Sequence, residues 1–331
     1  MKKKILITGA SGFVGSHLTE QAKELGLEVH AAVRSTSKIE DIRPYVDQFV
    51  QPNFADVHAL KELFETEQYH YIIHAAALTK AKSEAQMRAV NVGYTHNIVA
   101  AAFAAAMPLE RLVYVSSLAA LGPVGYHEEP LHEDSPYRPV TVYGRSKQAS
   151  EEMLRENFSE KPISVFRPTA VYGPRERDLF IVFDTMQKGL DPYIGRNPQK
   201  LSFIYVKDLA AMLLKSCLEE QGNLQFYNVT DGSVYSRYRM AEIAGEVLKK
   251  KMWRFHVPYN FVKLAAGIAD FLYKGSSKTP VIYPERLREL TAENWACDIS
   301  KLRDGLRFVP KYNLEEGLTE TLNWYKENKW L

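Results

Sequence analysis

The chain has 331 residues, 46% apolar and 25% charged, the balance of an ordinary globular protein able to bury its own core. A net charge of +2 argues for neither a nucleic-acid partner nor a membrane surface. Cys217 and Cys297 match neither a disulfide framework nor a metal spacing, so a reducing compartment is expected and no metal site. No apolar run nears the ~18 residues that span a bilayer, and the charged start shows no leader-peptide pattern, which makes the cytoplasm the expected location.

Taken in chain order, Ile5 to Ile7 reads as a short buried strand, Ser16 to Leu25 as a helix ending near Gly26, and Glu28 to Val33 as a second strand. A helix over Ala59 to Glu67, a strand over Tyr71 to Ile73 and a long alanine-rich helix from Val92 to Ala106, stopped by Pro108, follow. Leu112 to Val115 is a fourth strand, Val142 to Asn157 a helix and Ile163 to Phe166 a further strand. Strands alternating with helices at this spacing predict a doubly wound parallel sheet covered on both faces, an α/β fold. After Tyr172 glycine and proline become frequent. Ser202 to Val206 reads as a strand returning to the sheet and Asp208 to Leu218 as a helix, with Asp208 as its cap. Residues from about 231 onward read as mostly helical, broken at Pro258, Pro280, Pro284 and Pro310. The expected division is a dinucleotide-binding domain over 1–173 plus about 201–230, and a smaller substrate domain over 174–200 plus about 231–331.

The first strand runs into Thr8-Gly9-Ala10-Ser11-Gly12-Phe13-Val14-Gly15, and a helix follows at once. Glycines at this spacing make a tight turn, let a pyrophosphate approach the backbone and let helix and strand pack closely. The helix N-terminus adds free N–H groups and the positive end of its dipole. Farther on, Tyr143 and Lys147 stand four apart on a predicted helix and share one face. A free phenol ionises near 10, and a neighbouring ammonium or a positive nicotinamide ring would favour the phenolate. A tyrosine tuned in that way exchanges a proton with an alcohol or carbonyl oxygen. Ser117, at the carboxyl end of a strand, is placed to hydrogen-bond that oxygen and is preferred over Ser116, counting back from Gly122. His74 reads as a packed core histidine, Glu128, Glu129, Glu133 and Asp134 as a solvated loop, and Tyr172, Phe180 and Phe183 equally as pocket lining or core.

The pattern Thr-Gly-x-x-Gly-x-x-Gly, with Tyr143-Gly144-Arg145-Ser146-Lys147, Asn91-Val92, Ser116-Ser117, Arg167-Pro168 and Val171-Tyr172-Gly173-Pro174 in order, resembles the extended short-chain dehydrogenase/reductase family. That resemblance implies a Rossmann domain with a smaller, mostly helical C-terminal substrate domain. It implies cofactor contacts from the glycine loop, from Ala75, Ala76 and Ala77 after the third strand, and from Asn91, Ser116 and Pro168. It also implies that Lys147 holds the nicotinamide ribose, and that a homodimer forms through the Val92 and Tyr143 helices. At the end of the second strand, Arg34 and Lys38 stand where an NAD site places an acid, so NADP is the expected cofactor, ahead of NAD. Asn53 stands where many relatives carry the aspartate that reaches the adenine.

Two enzyme readings share these residues. One is an oxidoreductase acting at a carbinol or carbonyl carbon of a small-molecule substrate; the other is a nucleotide-sugar epimerase or dehydratase that returns its hydride. Nucleotide-sugar members usually carry an asparagine where this chain has Ala170, and an arginine where it has Leu201-Ser202, which favours the oxidoreductase. Arg175 and Arg177 keep the second reading open as phosphate ligands. A non-catalytic dinucleotide sensor would lack the tyrosine or the lysine, and both are present.

Overall fold

The computed structural model describes residues 2–81, 83–273 and 283–331, so Pro280 lies outside the described residues. The first run of elements is β1 (Lys4–Thr8), α1 (Phe13–Glu24), β2 (Glu28–Ala32), β3 (Gln48–Val50), α2 (Val57–Glu67), β4 (Tyr71–His74), α3 (Glu84–Arg88), α4 (Thr95–Ala104), β5 (Arg111–Val115), α5 (Val142–Phe158) and β6 (Ile163–Pro168). The chain continues through β7 (Ala170–Tyr172), α6 (Phe180–Gln187), β8 (Leu190–Ile194), β9 (Lys200–Leu201), β10 (Phe203–Tyr205), α7 (Val206–Leu218) and β11 (Gln225–Val229). It ends with β12 (Tyr235–Ser236), α8 (Arg239–Leu248), β13 (Trp253–Val257), α9 (Tyr259–Tyr273), α10 (Pro284–Leu290), α11 (Ser300–Leu306) and α12 (Leu314–Glu327).

Seven strands form one sheet in the order β11-β6-β5-β4-β1-β2-β3, and every neighbouring pair is parallel. Apolar side chains leave both faces: Ile5, Ile7 and Val113 pack with Leu18, Leu209 and Leu213, while Leu6, Ile72 and Leu112 pack with Leu60, Ile98 and Leu154. Burial on two sides is why these strands read as continuous apolar runs rather than alternating ones. The expected doubly wound fold is therefore present, and its strand order reverses between β1 and β4, where open α/β sheets bind ligands. A third cluster joins Tyr172, Phe183, Tyr205, Met240, Leu318 and Tyr325.

The structure corrects several local expectations. The strand near Ser202 does not return to the sheet: β10 pairs only with β7, and β11 closes the sheet against β6. The short β10 and the longer Phe226–Val229 run have similar apolar content, and only tertiary pairing separates them. The long helix begins eight residues earlier than expected, because Ser83 accepts from Gln86 N–H and caps α3; a π-helical stretch, Ala89–Tyr94, then leads into α4. Asp208 is not a cap. It lies buried in the first turn of α7, and its Oδ2 accepts from the N–H groups of Lys311 and Tyr312, both at 2.9 Å. Both cysteines are free and buried. Among the described residues no helix is long and apolar enough to cross a membrane.

Candidate active site

The turn after β1 is shaped for backbone contact with an anion. Gly9 has φ +71°, and a Cβ there would meet Ala76 N at 2.9 Å; a Cβ on Gly15 would meet Gly9 O at 2.1 Å. Gly12 N–H donates to Gly9 O at 2.9 Å and Gly12 opens α1 with no side-chain cap and no acid in the first turn. Helix geometry leaves the N–H groups of Phe13, Val14 and Gly15 as donors at the positive dipole end. Ser11 is exposed at the tip. Below the turn, the buried Thr8 hydroxyl accepts from Ala76 N–H at 3.2 Å, which holds Ala75, Ala76 and Ala77 beside the glycines. An uncapped helix start that no side chain can enter fits a dinucleotide pyrophosphate.

At the end of β2, a turn holds Arg34: its N–H donates to Ser37 Oγ at 3.0 Å, and its carbonyl accepts from Ser37 N–H at 2.9 Å. Arg34 and Lys38 are exposed, and among the described residues neither enters an ion pair. Asn53 accepts from Ala55 N–H at 3.2 Å and shapes the entry to α2. Asn91 lies buried in the π-helical stretch. Its amide brackets Leu78, accepting from N–H at 2.8 Å and donating to the carbonyl at 2.9 Å, and also donates to Ser146 Oγ at 2.9 Å. Asn91 therefore positions the loop after Ala77 rather than presenting its side chain to a ligand.

Ser117 caps the turn Leu118–Ala120, accepting from Ala119 N–H at 3.2 Å. Helix α5 presses on that turn: a Cβ on Gly144 would lie 2.4 Å from Ala119 O, so only glycine allows the approach. Thr141 caps α5, and Val142 N–H donates to Glu285 Oε2 at 2.8 Å, which ties the helix start to α10. This packing sets the Tyr143 phenol beside Ser117. Burial pushes the Tyr143 phenol up to about 12, with the neighbouring Ser117 hydroxyl opposing the rise. Lys147 Nζ donates to Val115 O at 2.8 Å and to Tyr114 Oη at 3.2 Å, and lies 5.9 Å from the Tyr143 ring centre. Burial pulls Lys147 down to about 7, against the charge of Glu151. The expected drop of the phenol beside an ammonium is thus reversed, because desolvation acts on both groups. The arrangement keeps a protonated phenol at neutral pH beside a buried lysine.

Sequence reading missed what holds α5 in place. Glu151, two turns beyond Tyr143 on the same face, is fully buried and receives Arg167 in a fork, Nε at 3.0 and 3.1 Å and Nη2 at 2.6 Å. Burial opposes the Arg167 charge, but Glu151 overcomes it and raises the guanidinium above its ordinary value. Tyr137 donates to Glu151 at 2.8 Å, and Ser116 Oγ donates at 2.5 Å, so the Ser116 hydroxyl faces this ion pair and not the groove. Glu133 is buried, its Oε1 accepting from Asn228 N–H at 2.8 Å, which corrects the solvated-loop expectation for that residue. The i, i+4, i+8 spacing of 143, 147 and 151 was the available signal.

From Ser117 and Pro168 a cavity of about 760 Å³ opens toward β8, α8 and α10. Its wall is mainly apolar, with Leu179, Met186, Leu201, Phe203, Met240 and Trp295, and also carries Arg237, Arg286 and Glu289. Ala170 and Leu201 both line it. Tyr172 and Phe183 belong to the core, and Phe180 packs on Tyr325 and Trp330. Arg175 pairs with Glu20 at 3.6 Å and Arg177 lies over the Trp330 ring, both outside the cavity wall.

His74 is held neutral in the core. Thr95 Oγ1 donates to Asn91 O at 2.6 Å, so it accepts from His74 Nε2 at 3.0 Å, leaving Nδ1 to accept from Thr8 at 2.7 Å. Burial, with Lys147 nearby, lowers His74 to about 3, and burial lowers His17 to about 4. Unfolded histidines protonate below about 6.5 and these do not, so the unfolded state binds more protons. Stability is expected to be full above that value and to fall by about 1.4 kcal/mol per pH unit per histidine as pH drops from about 6.5 toward 4. Denaturation midpoints across that range, for the parent and His17→Asn, measure the slope; a variant with an unchanged slope would refute the assignment to His17.

The profile of the NAD dependent epimerase/dehydratase family matches residues 5–230. The human dTDP-D-glucose 4,6-dehydratase is 25% identical over 98% of this chain and 91% of that protein. The ceramide reductase of Caulobacter vibrioides is 26% identical over 99% of this chain and 96% of that protein. Among solved structures, the UDP-glucose 4-epimerase of Thermotoga maritima, crystallised with UDP-glucose, superposes with a TM-score of 0.78 at 20% identity, covering 98% of this chain and 99% of that one, which shows a shared fold.

Proposed function

The chain belongs to the NAD dependent epimerase/dehydratase family, and within it we propose that it is an NADP(H)-preferring oxidoreductase acting at a carbinol or carbonyl carbon of a weakly charged, largely apolar small molecule. The observation that carries this reading is the cavity beside Ser117, whose wall is mainly apolar and carries Ala170 and Leu201 where nucleotide-sugar members place an asparagine and an arginine. Each missing hydrogen bond to a diphosphate forgoes roughly 1.5–3 kcal/mol. The 26% identity to a ceramide reductase is in keeping with it. The competing reading, an epimerase or dehydratase that returns its hydride, loses Arg175 and Arg177 as phosphate ligands and would have to draw on Arg237, which donates to the Ile194 and Asn197 carbonyls, and Arg286, which pairs with Glu289.

The nicotinamide, when bound, supplies or accepts the hydride. The chain's own residues do the rest. The glycine turn and the α1 N-terminus hold the pyrophosphate, and Lys147 the ribose. Ser117 donates a hydrogen bond to the substrate oxygen, and Tyr143 gives that oxygen its proton during reduction or removes it during oxidation. Arg34 offers a planar donor fork to a 2′-phosphate, with Lys38 adding charge.

Two measurements test the reading together. Tight binding of NADPH over NADH by the parent is expected to shrink by roughly tenfold or more in Arg34→Ala, the loss of one charge-assisted contact. With a long-chain ketone as substrate, reduced cofactor is expected to be consumed one for one with alcohol formed. Equal binding of the two cofactors by the parent would remove the NADP assignment. Isomerised or dehydrated nucleotide sugar with no net loss of reduced cofactor would establish the competing reading.

A further inference from the structure

Helix α9 carries its apolar side chains on the wrong side for a helix packed in a core. Phe261, Leu264, Ile268, Phe271 and Leu272 are 52–76% exposed, at spacings that place them on one face. Among the described side chains of the helix, Val262 and Ala266, about half a turn away, are the ones buried against the body, at 8% and 1% exposed. Contiguous exposed apolar surface of this kind marks an interaction site in a folded protein.

Three observations name the partner. Helix α9 borders the cavity, because Val257 just ahead of it and Val262 on its buried side line the wall, as do the exposed Ile181 and Val182 on α6. Amphipathic aromatics stand at the edges: Trp253 is exposed ahead of the helix, and Tyr259 and Tyr273 are partly exposed at its two ends, the residue types that settle at a membrane–water boundary. The stretch 249–273 carries Lys249, Lys250, Lys251, Arg254 and Lys263 against a single acid, Asp270, in a chain whose net charge is only +2. Arg254 is paired with Asp191, but the four lysines are exposed.

We propose that the outward face of α9 docks on the surface of an anionic phospholipid bilayer, lying in the interface with the cavity rim beside it. The helix has 15 residues, about 22 Å long, and so lies on the membrane rather than spanning it. The expectation of no membrane surface came from averages over the whole composition, and it is the exposed apolar face of α9, with exposed cations in the chain just ahead of it, that argues otherwise. The docking itself is independent of the reaction assigned above. The cavity's position at the bilayer, where an apolar substrate would enter, rests on that reading.

Co-sedimentation of the full chain with vesicles tests it. The parent is expected to pellet with phosphatidylcholine vesicles containing phosphatidylglycerol. Leu264→Ser combined with Phe271→Ser is expected to weaken partitioning by roughly tenfold or more while NADPH binding, which reports a folded dinucleotide site, is unchanged. A second variant, Lys249→Glu, Lys250→Glu and Lys251→Glu, is expected to weaken binding to the anionic vesicles. A parent that stays in the supernatant overturns the proposal, whatever its catalytic activity. So does light scattering in which the apolar variant turns a dimer into a monomer without any vesicle binding by the parent, since the face then meets a second copy. Loss of reductase activity with vesicle binding intact would leave the docking standing and count only against the proposed function.

Discussion

Replacing Tyr143 with phenylalanine is expected to lower kcat by about 10²-fold or more, the usual share of general acid–base catalysis, with cofactor affinity nearly intact. The ring stays, so the packing of α5 on the Ser117 turn, which depends on Gly144 against Ala119, is undisturbed. Only the hydroxyl, which lies beside Ser117, is lost. Burial keeps that hydroxyl protonated at neutral pH, so it is available as the proton donor that carbonyl reduction needs. Steady-state kinetics with a parallel fluorescence titration of the cofactor separate the two effects. Turnover within a few-fold of the parent would mean that another group delivers the proton.

The second large effect concerns stability. Arg167→Met is expected to destabilise the fold by about 3–5 kcal/mol, because it strands the Glu151 carboxylate in the core without its counter-ion. Arg167 and Glu151 are both fully buried, and the pair also gathers Tyr137, Ser116 and the Glu133 carbonyl, which Arg167 Nη1 meets at 2.8 Å. Combining it with Glu151→Leu is expected to recover much of the loss, since replacing both ends removes the unpaired charge. Urea denaturation of the parent, the single and the double variants reads this directly. A single variant that loses less than about 1 kcal/mol would show that water or a shifted partner reaches Glu151.

Local signals carried the N-terminal half because their causes are local. The Thr8 to Gly15 turn follows from three glycines between a strand and a helix, and the shared face of Tyr143 and Lys147 follows from a spacing close to the 3.6 residues of one helical turn. Burial on both sides of the sheet shows in a sequence as unbroken apolar runs, so β1, β4, β5 and β6 were legible. The later strands were not. β10 and β11 have similar composition, and whether a strand joins the large sheet depends on which edge the chain meets, a contact between residues far apart in sequence. Asp208 looked like a cap because caps are sequence-local; its partners, Lys311 and Tyr312, lie more than a hundred residues away.

The same division runs through the site. The sequence by itself determined the family, the parallel sheet, the glycine turn and which side chains are proposed to carry the chemistry, since each depends on residue type at short spacing. Tertiary structure decided the electrical state and the surroundings of those side chains. Burial raises Tyr143 and lowers Lys147, where proximity of charge alone would have lowered the phenol. It turns Ser116 and Glu133 inward, converts Asn91 into a clamp on Leu78, and gathers the wall of one cavity from segments between residues 117 and 295. Desolvation and cavity shape depend on what every distant segment packs against, and no window of sequence contains that information.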